Sequence, residues 1–187
     1  HLIARSFAGE MLAAIVDALR QVKGAFSLVA LTPKFMMAVR DPYGVRPLVL
    51  GELDGAPVVA SEPSSFQLLG AEYVRDIEPG EMLVIDLETR EIDVRHPFES
   101  VEPKPCIFEL VYFSRPDNKI FGRDVYEARK EMGRNLARES HVEADVVIPV
   151  PDSGVPAAMG YAAESGVSFE LGLVRSHYVG RTFIEPT

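Results

Sequence analysis

Val146-Val147-Ile148-Pro149-Val150-Pro151-Asp152-Ser153-Gly154-Val155-Pro156 is the stretch on which the reading of this chain turns. It reads as a buried strand that ends in a tight loop and runs into a helix. In open α/β sheets ligands gather beyond the carboxyl ends of the strands, and the exposed N–H groups at the start of the following helix suit phosphate. Ser153 adds a hydroxyl, Asp152 adds a carboxylate suited to Mg2+ or its waters, and Gly154 permits close approach of a ligand to the backbone. The same letters also describe a helix capped by Asp152 or Ser153 within an ordinary Pro-Asp-Ser-Gly turn. Pattern alone leaves both readings open.

Outward from this stretch the pattern alternates. A strand-like run Ile107–Phe113, a loop Ser114–Arg123, a helix from Val125 to Glu139, a strand Asp145–Val150, a helix from Gly154 to Glu164 and a strand Phe169–Val174 together predict an α/β unit with parallel pairing. After the last strand comes Arg175-Ser176-His177-Tyr178-Val179-Gly180-Arg181-Thr182-Phe183-Ile184. Arg175 and Arg181 are its cationic pair, free of close acidic neighbours in the sequence and within reach of the same strand-end site. A solvated loop with snorkelling arginines is the plainer alternative.

Towards the N-terminus, Pro97, Pro103 and Pro105 interrupt an acidic stretch that holds Glu99 and Glu102, which predicts a domain boundary, with domains at 1–100 and 101–187. Before it, Met11, Ile15, Leu19 and Val22 recur at helical spacing within Ala8–Lys23, and Gly24 stands as a C′ residue. Apolar runs Ala25–Leu31, Phe35–Arg40, Val45–Leu50 and Pro57–Ser61, separated by turn residues, predict an antiparallel meander. A short helix at Pro63–Leu69 and a hairpin of Glu81–Leu87 with Ile92–His96 follow. Several runs are apolar at nearly every position, so both sheet faces are expected to be covered.

A length of 187 residues allows one domain or parts of two. A composition of 47% hydrophobic and 25% charged residues is that of a globular chain rather than a disordered or fibrous one. The net charge of −9 opposes non-specific attraction to nucleic acid or anionic membrane. One cysteine, Cys106, closes no disulfide within the chain and reads as a buried thiol or a single ligand, which fits a cytoplasmic origin. No apolar run is long enough to span a bilayer, and no signal peptide is apparent. The four histidines lack metal-ligand spacing, neither a dinucleotide fingerprint nor a P-loop occurs, and the first hundred residues hold no nucleophile beside a base. A chain that opens on His1 and closes on Glu185-Pro186-Thr187 is expected to be the middle slice of something longer.

Several stretches carry a family resemblance, in family order along essentially the whole chain: Arg40-Asp41-Pro42-Tyr43-Gly44-Val45-Arg46-Pro47-Leu48, Ala60-Ser61-Glu62, Pro79-Gly80-Glu81, Phe108 to Asp117, Pro151-Asp152-Ser153 and Tyr178 to Ile184. The chain resembles the glutamine phosphoribosylpyrophosphate amidotransferases, or amidophosphoribosyltransferases. The resemblance implies the back half of an N-terminal-nucleophile αββα glutaminase domain followed by the front half of a type I phosphoribosyltransferase α/β domain. It implies glutamine and phosphoribosylpyrophosphate as substrates, Mg2+ as cofactor, purine nucleotides as feedback inhibitors and a tetramer of full-length chains. Residue by residue, Asp152, Ser153 and Gly154 match the pyrophosphate loop, with Ser153 at the Mg2+-contacting hydroxyl. Arg175, Tyr178 and Arg181 match the phosphate-binding and flexible-loop positions. Arg175-Ser176-His177 stands where relatives often carry Lys-Asn-Arg, and a histidine is mostly neutral at pH 7. Cys106 matches one of four ligands to a [4Fe–4S] cluster in one branch of the family. The nucleophilic Cys, the oxyanion pair and the ribose-binding aspartates have no counterpart among these residues, so the chain alone is expected to catalyse neither half-reaction. A non-catalytic sugar-phosphate-binding or assembly module, or another glutamine amidotransferase, are the alternatives.

Overall fold

The computed structural model describes residue 3, residues 10–178 and residue 180. The chain divides into two compact units, residues 1–109 and 110–187. The pattern break at residue 100 comes earlier than this division because residues 101–109 stay attached to the first unit. There the amide of Lys104 donates to the Tyr43 carbonyl and that of Cys106 to the Val45 carbonyl. The buried Glu109 pairs with Arg46.

In the first unit, α1 (Met11–Arg20) buries Ala14, Ile15, Ala18 and Leu19, a stripe at the i, i+1, i+4, i+5 positions of one helical face. Ile15 and Leu19 contribute on the order of 1.5–3 kcal/mol each through burial. The helix stops at Arg20, short of the expected Lys23: the amides of Gln21 and Val22 turn back to the carbonyls of Ala18 and Leu19. The expected start at Ala8 lies outside the described residues.

Seven strands follow in two antiparallel sheets, not in one meander. β1 (Ser27–Leu31), β2 (Phe35–Arg40), β6 (Met82–Asp86) and β7 (Ile92–Arg95) lie in the order β1-β2-β6-β7. β3 (Val49–Leu53), β4 (Ala56–Ala60) and β5 (Glu72–Asp76) lie in the order β4-β3-β5. The chain leaves the first sheet after Arg40, where the buried Arg40-Asp41 pair turns it away. This turn also delays β3 to Val49, four residues after the expected start at Val45.

Alternation along β2 explains the near-continuous apolar run. Met37 and Val39 join Ile15, Leu19 and Met82 beneath α1, while Ala38 and Leu83 pack with Leu50 of the second sheet and with Leu48 and Ile77, which flank its strands. Both faces are covered, as expected, along β2 and β6, whereas Leu28, Val29 and Leu31 of β1 and Val94 of β7 stay exposed. The short α2 (Ser64–Leu69) sets Phe66 against Gly51, next to Leu50 on β3, where a Cβ would lie 2.8 Å from the Phe66 ring. The layers are therefore helix, sheet, sheet, helix.

Glu81, buried at the head of β6, is held by Arg75 at 2.9 and 2.5 Å and by the Glu78 amide at 2.6 Å. Burial alone pushes its carboxyl up, but the Arg75 hydrogen bonds and charge, with the Glu78 amide, outweigh this and hold it below the usual carboxylate range. A depressed native pKa contributes stability above the unfolded value, about 4.3, that is lost as pH falls through the native one. Glu81→Gln is expected to cost about 1–3 kcal/mol at pH 7. In thermal melts the gap to wild type should close as pH drops below about 4.

The second unit is built on two helices. α3 (Val125–Glu139) starts where expected, with the Asp124 carboxylate accepting the Glu127 amide at 2.9 Å. The small hairpin of β8 (Lys119–Ile120) and β9 (Arg123–Asp124) leads into it. α4 (Val155–Ser165) ends on Gly166 in the left-handed conformation. The run Ile107–Phe113 is not a strand: Glu109–Phe113 forms a π-helical turn. The buried Arg129 of α3 accounts for this, since its Nε donates to the Leu110 carbonyl at 2.8 Å and its Nη2 to the Ser114 carbonyl at 2.7 Å. Those carbonyls would face a neighbouring strand in a sheet.

β10 (Val146–Val147) and β11 (Ser168–Phe169) pair in parallel, as the alternating pattern predicts, but each is shorter than the runs 145–150 and 169–174. Among the described residues no further strand pairs with either, and Val150, Leu171, Leu173 and Val174 stay exposed. No described helix is long and apolar enough to cross a membrane.

α3 and α4 cross backbone to backbone. A Cβ on Gly133 would lie 1.9 Å from the Ala157 carbonyl oxygen, and one on Gly160 would lie 2.0 Å from that of Lys130. Ordinary overpacking costs about 1–3 kcal/mol, and a backbone clash this close cannot be relieved by a rotamer change. Gly160→Ala is therefore expected to lower the melting temperature and to remove hydrogen-exchange protection from α3 and α4 while that of the first unit is retained.

Candidate functional site

The loop between β10 and α4 does not use its Asp152 or Ser153 side chain as a helix cap. Gly154 is the N-cap residue of α4, and no side chain caps the helix. Asp152 and Ser153 are thus not used as caps: the Asp152 side chain is exposed and Ser153 is half-buried. The helix start offers fewer open donors than its sequence suggests. The Gly154 amide donates to the Val150 carbonyl at 3.2 Å, the Val155 amide to that of Asp152 at 3.3 Å, and Pro156 has no N–H. Gly154 answers to the same tight return rather than to a ligand, because a Cβ there would lie 2.7 Å from the Val150 oxygen. The Pro151–Asp152 peptide is cis.

The parallel pairing of β10 with β11 brings the loops that follow them to one edge. Arg175 Nη1 donates to Asp152 Oδ2 at 3.0 Å. The meeting of the two loops was legible in the sequence, but Arg175 is not free of acidic neighbours: Asp152, distant in sequence, is its partner. Beyond it the Tyr178 amide donates to Ser176 Oγ at 3.4 Å, and the Tyr178 ring is fully exposed. Arg181, like most of the stretch Tyr178 to Ile184, lies outside the described residues.

Behind the loop lies a cleft of about 540 Å³ in the second unit, with Ser153 and Gly154 on one wall and Arg129, Met132, Tyr112 and Tyr161 among the residues on the others. Two of these escaped sequence reasoning. Arg129, lowered from the ordinary guanidinium range by burial, organises the π-turn. Its signal was its place at i+4 from Val125 and i−4 from Gly133, on the buried face of α3. Tyr161 donates to the Ser140 carbonyl and accepts the Val142 amide, pinning the segment before β10 to α4.

Asp152 and Ser153 carry oxygen donors of the kind Mg2+ takes. Among the described residues no group of three His, Cys, Asp or Glu side chains could cage a metal. Cys106 is half-buried in the first unit. As the one cysteine of the chain it falls three short of [4Fe–4S] ligation. The Arg40-Asp41-Pro42 and Pro79-Gly80-Glu81 stretches are internally bonded turns rather than an open site.

Fold and loops together bring residues 151–154 and Arg175 to one edge of the parallel strand pair, on an α/β unit that follows a helix–sheet–sheet–helix unit. No family model matches the chain. Its full length aligns with the amidophosphoribosyltransferase of Rhizobium etli at 52% identity, covering 38% of that protein. It aligns likewise with the chloroplastic amidophosphoribosyltransferase 1 of Arabidopsis thaliana at 54% identity, covering 33%. Among solved structures, the glutamine phosphoribosylpyrophosphate amidotransferase of B. subtilis complexed with ADP and GMP superposes over the whole chain with a TM-score of 0.90 at 45% identity, covering 41% of that chain. The chain is thus homologous to a stretch of the amidophosphoribosyltransferases, and spans between a third and about two fifths of their length.

Proposed function

We propose that these residues serve as a segment of an amidophosphoribosyltransferase, the enzyme that joins glutamine-derived ammonia to phosphoribosylpyrophosphate in the first step of purine synthesis. In that reaction a C–N bond forms at the sugar carbon as the C–O bond to pyrophosphate breaks, giving 5-phosphoribosylamine. The observation that carries the reading is the convergence of the 151–154 loop and Arg175 at the carboxyl end of two parallel strands.

On this reading Ser153 and Asp152 would hold the Mg2+ that accompanies the pyrophosphate, and Arg175, Tyr178 and Arg181 would serve the phosphates, with Gly154 keeping the loop tight. Mg2+, when bound, neutralises charge that builds up on the leaving pyrophosphate. The chain's own part is to fix the leaving group while the sugar carbon is attacked. The first unit, with its four layers, is read as the back half of the glutaminase domain, and the second as the front half of the transferase domain. Purine nucleotides, of the kind complexed with the B. subtilis enzyme, would meet the same Arg175-Ser176-His177 loop. Assembly into a homo-tetramer, a cytoplasmic location and a [4Fe–4S] cluster to which Cys106 contributes one ligand belong to the same proposal.

Two measurements test it. In the full-length protein, Ser153→Ala and Arg175→Ala are expected to lower kcat/KM for phosphoribosylpyrophosphate about tenfold or more, roughly 1.4 kcal/mol, with glutamine hydrolysis intact. Unchanged values would remove the loop from the substrate site. The 187 residues alone are expected to release no ammonia from glutamine, because their single thiol, Cys106, sits mid-chain without an adjacent base. Detectable hydrolysis by a purified sample would overturn this.

A further inference from the structure

Where the first unit gives way to the second, neighbouring residues of the chain are fastened to different units. Residues 104–109 are tied to the turn after β2: the Lys104 amide donates to the Tyr43 carbonyl at 2.7 Å, the Cys106 amide donates to the Val45 carbonyl at 3.0 Å, and the Glu109 carboxylate pairs with the Arg46 guanidinium. Glu109 is only 2% exposed, while the Arg46 side chain is half exposed. The carbonyl of Arg46 in turn accepts Arg40 Nε at 2.8 Å, so one residue joins the buried arginine at the end of β2 to the exit of the chain. Leu110, the first residue of the second unit, is held by Arg129 Nε at 2.8 Å, and Ser114 by Arg129 Nη2 at 2.7 Å.

Segments that join domains are ordinarily exposed and make few contacts. Here no slack residue lies between Glu109 and Leu110, since each is held by an arginine of its own unit. The π-turn that starts on Glu109 is itself a rare geometry that recurs at functional sites. A buried acid is costly to desolvate and an apolar contact would give at least equal stability, so what the Arg46–Glu109 pair adds is a fixed geometry. We propose that Arg46 is a positioning residue for the hand-over of ammonia. By holding Glu109 it fixes the course on which the chain enters the second unit, so that ammonia released in the glutaminase domain is used in the transferase domain rather than lost to solvent. This rests on the reading of the two units as parts of those domains.

The test compares the full-length wild type with Arg46→Met and with Glu109→Gln, which keeps the shape of the buried side chain. Three rates are read: phosphoribosylamine formed from added ammonium chloride, glutamate formed from glutamine, and phosphoribosylamine formed from glutamine. Both variants are expected to keep the first two rates within about twofold of wild type, while the ratio of glutamate to phosphoribosylamine formed from glutamine rises about threefold or more, the kind of loss that a small misplacement produces. A role in stability alone would lower all three rates and leave that ratio unchanged. Should Arg46→Met not fold, Glu109→Gln decides by the same ratio. An unchanged ratio, with or without loss of rate, would overturn the role of Arg46 and leave the reading of the two units standing. A wild type that forms phosphoribosylamine from neither nitrogen source would overturn that reading as well.

Discussion

The first unit depends on one buried guanidinium. Arg40, at the end of β2, donates to the carbonyls of Gly44, Arg46 and Ile77 at 2.7–2.9 Å and so ties the exit of one sheet to the turn that follows and to the end of β5 in the other. The next residue finishes the turn. The Asp41 carboxylate takes the amides of Tyr43 and Val45, and its carbonyl takes those of Gly44 and Gly80. Gly44 has φ of +60°, and a Cβ there would lie 2.6 Å from the Pro79 side chain. Burial lowers the pKa of Arg40 from its ordinary value, against the opposing charges of Asp76, Asp41 and Glu81. Without this turn the apolar runs on either side would be free to continue as a simple hairpin. With it the chain crosses from one sheet to the other, and a two-sheet sandwich becomes possible.

The second unit repeats the device on a helix. Arg129 spends its hydrogen bonds on backbone carbonyls 110 and 114, which converts an apolar run into a π-turn and closes Leu110 over Ile120 and Val125. In both places a planar, multi-donor side chain satisfies carbonyls that no strand or helix ladder reaches, a use for which lysine is poorly shaped. Arg175 differs in kind. It is exposed and holds a carboxylate rather than backbone.

This contrast explains what the sequence disclosed and what it withheld. α3 and α4 were legible because their signals are local: a capping Asp124, a helical stripe, a terminal Gly166. So was the parallel pairing that brings two loops to one edge. The Ile107–Phe113 run misled because period alone does not separate a short apolar strand from a buried turn, and the deciding group, Arg129, comes more than a dozen residues later. The meander misled for the same reason, its deciding contact being that of Arg40 with Ile77, 37 residues away. Asp152 and Ser153 were ambiguous between cap and site in any local reading. Only the backbone of the loop, which caps α4 with Gly154, shows that neither side chain is the cap.

Small residues rather than charged ones set the precision of the site. The position of α4 follows from the backbone contacts at Gly133 and Gly160, which fix how closely it lies on α3. The start of α4 then fixes where the chain must return to Val150, and that return leaves no room for a Cβ at residue 154. Asp152 is thereby held at the rim with its carboxylate outward, where Arg175 arrives from the neighbouring strand. The carboxylate at the edge is thus placed by way of a glycine that bears no charge. A substitution far from the rim, at the helix crossing, therefore acts on the ion pair through the start of α4, whereas one at Asp152 changes the charge of the rim and leaves its placement alone.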